Sequence, residues 1–252
     1  MSDAFNEAVF ENALVQYLVD ELGYTHVFGP DVDRDYKDVL YEDDLRSSLE
    51  RINPGVSREA IDAAIFTLKN RLSGNLIQRN EIFTAYLQNG LTVSIMENGK
   101  AIYPLIKLID YDNIDNNSFI VANQWTIIEK EQKRPDVILF INGFPLVVME
   151  LKSCSRAQTS YSDAFLQLEN YKMVIPSLFN YNAFCIISDM LVTKAGTITA
   201  DENRYSQWKT VDGVTRNDNP DFTVLMKGML EKSRLLDIIH NFILFQKEEK
   251  GD

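Results

Sequence analysis

Arg134-Pro135-Asp136-VILFINGFPLVVM-Glu150-Leu151-Lys152 is the stretch that decides how this chain is read. Apolar runs at 137–141 and 145–151 flank Asn142-Gly143, the strongest short-range signal for a β-hairpin. A hairpin returns its far ends to each other, so Asp136 and Glu150 should meet although 14 positions separate them. Register decides whether they share a face. A two-residue loop of Asn142-Gly143 sets residue 136 against 149 and turns Glu150 away. A three-residue loop, Asn142-Gly143-Phe144 with a left-handed glycine, sets 136 against 150. Their Cβ atoms then lie about 4.5–5.5 Å apart on one face. The second register is expected. Lys152, two positions further, shares the face of Glu150.

Two carboxylates and an ammonium at the end of an apolar hairpin are costly unless something pairs with them. As structure alone, they would be a surface ion pair closing a hairpin. As chemistry, oxygen ligands at this spacing suit magnesium, which takes one or two carboxylates plus water and phosphate oxygens. A lysine beside such a site stabilises developing negative charge, a combination suited to hydrolysis of a phosphodiester.

Outward from the hairpin, helical periodicity marks 3–22, with Phe5, Ala13, Leu14, Tyr17, Leu18 and Leu22 on one stripe and Gly23 placed to end it. Two helical segments flank Asn53-Pro54-Gly55, the second capped by Ser57 and carrying Ile61, Ala64, Ile65, Leu68 and Leu72. A short helix near 79–89 stops at Gly90. Strands are expected at 91–96 and 101–109 around Glu97-Asn98-Gly99-Lys100, and at 119–128, 137–141, 145–151 and 183–188. Helical spacing returns near 159–174 and at 223–246. The reading is one α/β domain with a helical insertion at about 40–90.

The bounds agree. Length, 252 residues with 45% hydrophobic and 25% charged, fits one or two globular domains. Acidic residues number 37 against 25 basic ones, a net charge of -12. That excess excludes a protein that simply coats nucleic acid or clings to an anionic membrane. Between Glu129 and Arg156, however, the local balance is +1, leaving -13 for the rest. Cys154, Cys185, His26 and His240 lack zinc-site spacing and read as core or surface residues. Asp31-x-Asp33-x-Asp35 with Glu42 imitates a calcium loop, but Tyr36 replaces the glycine that makes the sharp turn, so a solvated acidic loop is expected. No signal-peptide pattern or ~20-residue apolar run occurs, and a cytoplasmic location is expected.

Pro135-Asp136 followed by Glu150-x-Lys152 resembles the signature of PD-(D/E)xK nucleases. The wider text, NQWTIIE, RPDVILFINGFPLVVMELKS, AFLQLENYKMVIPSLFNYNAFCIISD and GMLEKSRLLDIIHNFILF, resembles the N-terminal nuclease region of type I restriction enzyme R subunits. The likeness is clearest from about Ile109 to Phe245. It implies a restriction-endonuclease-like core, a mixed central sheet flanked by helices, and a Mg2+-dependent DNA endonuclease. Asp136 and Glu150 would be the metal-binding acids and Lys152 the catalytic lysine. Gln167-x-x-x-Tyr171 matches an accessory Gln-x-x-x-Tyr motif that touches DNA or braces the lysine, though ordinary helix packing also explains that spacing. Glu11, after Phe10, matches a helical acidic position, either a further metal ligand or a group standing behind the ligands, and Glu7 one turn earlier competes for that role.

The resemblance further implies a prokaryotic protein whose parent carries an ATP-driven translocase motor. No G-x-x-x-x-G-K-[ST] loop occurs here, so ATP binding belongs to the parent. Residues 1–222 are then the endonuclease domain and 223–252 a helical connector toward the motor. Double-stranded DNA would be the substrate, with methyltransferase and specificity subunits as partners through the parent. The alternatives are a non-catalytic docking or scaffold module of the same fold, or a stand-alone nuclease in repair or phage defence.

Overall fold

The two runs of the hairpin lie at the centre of a six-stranded mixed sheet in the computed structural model, which describes residues 7–152, 160–218 and 220–246. Strands β1 (Thr25–Phe28), β2 (Phe119–Asn123), β3 (Val137–Ile141), β4 (Phe144–Leu151), β5 (Phe184–Ser188) and β6 (Thr193–Gly196) follow one another across it in chain order. The pairs β1–β2 and β4–β5 are parallel, and the other three neighbours are antiparallel. Every residue of β2, β3, β4 and β5 is buried. Both faces of these strands are therefore covered, which is why their sequences read as unbroken apolar runs.

Helices α1 (Glu7–Asp20), α2 (Glu42–Ile52), α3 (Arg58–Asn70), α4 (Leu76–Asn89), α5 (Tyr161–Val174), α6 (Pro176–Phe179), α7 (Phe222–Met229) and α8 (Lys232–Asp237) complete the architecture. The expected mixed sheet flanked by helices is present. α1 lies against β1, β2 and β4, while α5 lies against β4 and β5. The stretch α2–α4 fills the expected helical insertion between β1 and β2. Ser57 caps α3 by accepting the Ala60 amide at 3.3 Å, and Asn75 with Gln78 forms a capping box at the start of α4.

The hairpin turn is a correction. Ile141 pairs with Phe144, so Asn142 and Gly143 alone form the loop, both left-handed at φ 50° and 78°. Gly143 has a second reason to lack a side chain, because a Cβ there would sit 2.6 Å from Leu45 and from the Tyr41 carbonyl. The three-residue loop is absent, yet the expected register reappears further on. Pro145 pairs with Phe140 and Val147 with Leu139, leaving Leu146 as a bulge. Proline is tolerated within a central strand because it borders this bulge. Leu146 turns its carbonyl to β5, accepting from the Ala183 amide at 2.7 Å and from Asn182 at 3.2 Å.

Other departures have local causes. The expected strand 119–128 breaks at Gln124, whose φ of 56° ends the extended run, and Ile127–Ile128 pairs instead with Gln132–Lys133. The segments 91–96 and 101–109 form two short ribbons, one of them turning at Asn98-Gly99 as expected. The 223–246 helix is interrupted at Leu230, where the Tyr24 hydroxyl donates to its carbonyl at 2.8 Å, and it ends in a π-helix over Ile238–Phe242. Strands β1 and β6 were not expected at all. Among the calcium-like residues, Glu42 opens α2 and pairs with Lys69, as does Asp38 at 3.1 Å. Cys185 is fully buried, His240 stacks on Tyr111 at 4.0 Å, and Cys154 lies outside the described residues.

Candidate active site

The site is built by three strands ending at one edge. Val137 pairs with Met149, and one step further along that ladder Asp136 stands across from Glu150. Asp136 accepts the Leu151 amide at 2.7 Å, which ties it to β4 just past Glu150. Glu150 is only 3% exposed. Its Oε1 accepts from the Lys152 ammonium at 2.6 Å, and Lys152 also donates to the Leu151 carbonyl at 3.1 Å. The Lys152 amide in turn bonds the Ser188 carbonyl at 2.8 Å, continuing the β4–β5 ladder through the lysine.

Two carboxylates held side by side, Glu150 buried and Asp136 half-buried, resist ionisation. Burial pushes Asp136 well above the usual carboxylate range, and the Glu150 charge adds to the rise. Burial raises Glu150 as well, with the Lys152 ammonium offsetting part of it. For Lys152, burial opposes the charged form, but Glu150, Asp136 and Glu7 outweigh it and keep the ammonium protonated beyond its ordinary range. Helix α5, capped by Ser160 and Asp163, brings Tyr171 to the same place. Burial and the neighbouring Glu150 hold its hydroxyl protonated, and Gln167 one turn earlier, on the same face of the helix, partly offsets that rise. Even so, Oε2 of Glu150 is enclosed without a hydrogen-bond partner of normal geometry.

The structure thus brings Asp136, Glu150, Lys152, Gln167 and Tyr171 together. Glu7 joins them, with its carboxylate 3.9 Å from Lys152. Glu11, one turn later, is differently engaged: it is 6% exposed and accepts from Asn123 at 2.7 Å and from Gln124 at 3.0 Å. Asn123 and Gln124 were read only as the start of the stretch NQWTIIE, without a role of their own. A polar pair closing an apolar strand immediately before Trp125 was the signal available.

A buried carboxylate beside a second one, both reluctant to ionise, is a donor set short of positive charge. Among the described residues no three His, Cys, Asp or Glu side chains converge as a complete metal cage. One buried and one half-buried carboxylate side by side fit a hard cation that keeps water or phosphate oxygens as its other ligands, as magnesium does.

Comparison with known proteins gives this edge a context. Residues 4–204 match the family model described as the type I restriction enzyme R protein N terminus. The type I restriction enzyme HindI endonuclease subunit of Haemophilus influenzae is 32% identical over 260 residues, covering 98% of this chain and 24% of that protein. The putative type I restriction enzyme MjaIXP endonuclease subunit of Methanocaldococcus jannaschii is 30% identical over 269 residues, covering 96% of this chain and 26% of that protein. This chain spans about a quarter of the length of these relatives.

Proposed function

We propose, from the premise that this chain belongs to the family of type I restriction enzyme R protein N-terminal domains, that it is the DNA-cutting part of a longer R subunit and hydrolyses phosphodiester bonds with magnesium. The observation that carries the reading is the buried Glu150 facing Asp136 across the hairpin, with the Lys152 ammonium 2.6 Å from Glu150. The core is of the PD-(D/E)xK type, with α1 before and α5 after the catalytic strands.

Asp136 and Glu150 hold the magnesium ion. When bound, the ion supplies charge neutralisation for the carboxylates and Lewis acidity for a phosphate oxygen. Asp136 is kept in place by the Leu151 amide, so its orientation does not depend on the ion. Lys152 holds its proton against the three surrounding acids and presents a fixed positive charge where negative charge develops on the scissile phosphate. Tyr171, with Gln167 one turn earlier on the same helix face, stands at the same site and orients the Glu150 carboxylate. Burial of the acids by the sheet keeps bulk water from screening these interactions.

The net charge of -12 places tight DNA binding outside this domain alone. DNA is delivered by an ATP-driven motor in the remainder of the parent, with methyltransferase and specificity subunits selecting the site. In that scheme 1–222 form the endonuclease domain and 223–252 lead toward the motor, in a cytoplasmic prokaryotic protein. None of the described helices is long and apolar enough to cross a membrane.

Nicking of supercoiled plasmid in magnesium, by the full R subunit with its partner subunits and ATP, tests the assignment. Wild type should nick, and Asp136→Ala and Lys152→Ala should not. Equal nicking by all three overturns it.

A further inference from the structure

We infer that Gln124 is a positioning residue for this site, fixing the Glu11 carboxylate and through it the rotation of α1 that sets Glu7 against Lys152. The inference deepens the nuclease reading and rests on it. Glu7 and Glu11 are four positions apart, so they lie on one face of α1, one turn apart. Glu11 touches neither Asp136 nor Lys152 by any hydrogen bond. Its two oxygens instead accept the Gln124 amide at 3.0 Å each, and Oε1 also accepts Asn123 at 2.7 Å. Asn123 is oriented in turn by His26, whose Nε2 meets its Oδ1 at 2.9 Å.

A buried carboxylate satisfied only by neutral amides is a poor way to attach a helix. Apolar contacts would serve as well or better, and Phe10, Leu14 and Leu18 already provide them on α1. What apolar contacts lack is direction. Three convergent hydrogen bonds define the azimuth of the helix, and Glu7 inherits that azimuth one turn away.

The backbone at Gln124 shows the same commitment. Its φ of 56° lies in the left-handed region, uncommon for a residue other than glycine, asparagine or aspartate. The bend is enclosed from β1, because a Cβ on Gly29 would stand 2.5 Å from the Gln124 carbonyl oxygen and 2.9 Å from Trp125 Cα. Strained backbone held in this way gathers at sites where geometry matters. Here it lies one residue beyond Asn123, which pairs with Val137, at the level of the sheet where Asp136 and Glu150 stand.

The test uses the full R subunit with its partner subunits, comparing Gln124→Asn, Glu11→Gln, Glu7→Gln and the Gln124→Asn/Glu7→Gln double variant. Asparagine accepts the left-handed backbone but shortens the reach to Glu11, so the fold should hold while the anchor is lost. Gln124→Asn and Glu11→Gln should speed amide exchange in the first turns of α1 with β3 and β4 unchanged, and Glu7→Gln should not. For DNA nicking, kcat should fall about tenfold to a hundredfold in Gln124→Asn and Glu7→Gln with KM for DNA unchanged. The double variant should be no slower than the worse single one, since both act through the same contact. Unchanged exchange in α1, or effects on kcat that multiply, overturns the inference. A wild type that cuts nothing removes the nuclease reading instead, and the exchange measurement still decides the anchor.

Discussion

The backbone amide of Leu151 donates to the Asp136 carboxylate across 2.7 Å, so the first acid of the site is fastened to the strand that carries the second. The pair is thereby preorganised, and the two carboxyl groups are held together whether or not a cation is present. Several measurable properties of the protein follow from that arrangement.

The first is a dependence of stability on pH. Asp136 and Glu150 both have folded-state pKa values raised above their unfolded ones, chiefly by burial. Groups shifted in this direction contribute stability that is fully present below the unfolded pKa, near 4, and lost as pH rises through the raised folded values. Without metal, the wild type should therefore lose stability relative to Asp136→Asn between pH 5 and pH 9. Each pKa unit corresponds to about 1.4 kcal/mol, which in a protein of this size moves Tm by about 2–4 °C. Thermal melts of both proteins in chelator across that range provide the check; parallel curves would remove the raised carboxylates from the account.

Magnesium or manganese should reverse that loss. A ligand bound only by the folded state at a hundred times its Kd adds about 2.7 kcal/mol. Melting temperature should rise with added metal in the wild type, more at pH 8 than at pH 6, because protons compete for the same oxygens. Glu150→Ala should show no such rise, and calorimetric titration should find its binding lost. Full binding by Glu150→Ala would end the ligand assignment.

On the proposed reading Lys152 has two duties, pairing with Glu150 and acting on the phosphate, which should separate on substitution. Lys152→Met keeps the aliphatic stem but leaves Glu150, 3% exposed, without its cation. Removing one partner of a buried pair costs about 3–5 kcal/mol, reduced here because protonation of Glu150 relieves the charge. Cleavage should fall about a hundredfold to a thousandfold for loss of the charge at the phosphate. Urea melts at pH 5 and pH 8 distinguish the two: the stability cost should shrink at pH 5, whereas the catalytic defect should persist.

Gly143→Ala should destabilise the hairpin by about 3 kcal/mol or more. Its left-handed φ of 78° alone costs a non-glycine residue about 1–2 kcal/mol, and the new Cβ would meet the Leu45 and Tyr41 backbone at 2.6 Å. The urea midpoint is the measurement. A shift below 1 kcal/mol would mean that α2 gives way more easily than its packing implies.

Much of this site could be read from residues close in sequence, and the remainder could not for identifiable reasons. Asn142-Gly143 announces a turn, and Ser57 announces a helix start, because each acts within a few residues of itself. The facing of Asp136 and Glu150 was expected for the wrong reason: a longer loop was invoked where a bulge at Leu146 does the work. Pro145 inside a central strand was the legible hint. Strand β1 was missed because Thr25–Phe28 is largely exposed and pairs with residues nearly a hundred positions away. Glu11 was read as a metal ligand or a group standing behind the ligands, and nothing near it in sequence reveals that its partners lie 112 and 113 positions distant.

Leu146 has a consequence for how the gene can change. A strand is a two-valued counter, and the single extra residue between the turn and Glu150 sets its parity. Deleting one residue between Gly143 and Glu150 would turn the acid and its lysine to the opposite side of the sheet, while leaving hydrophobicity and composition almost untouched. Removal or insertion of two would restore the side and merely shift the level. Lineages of this domain are therefore free to drift in the identity of the apolar residues along this strand, but length changes there are confined to even steps.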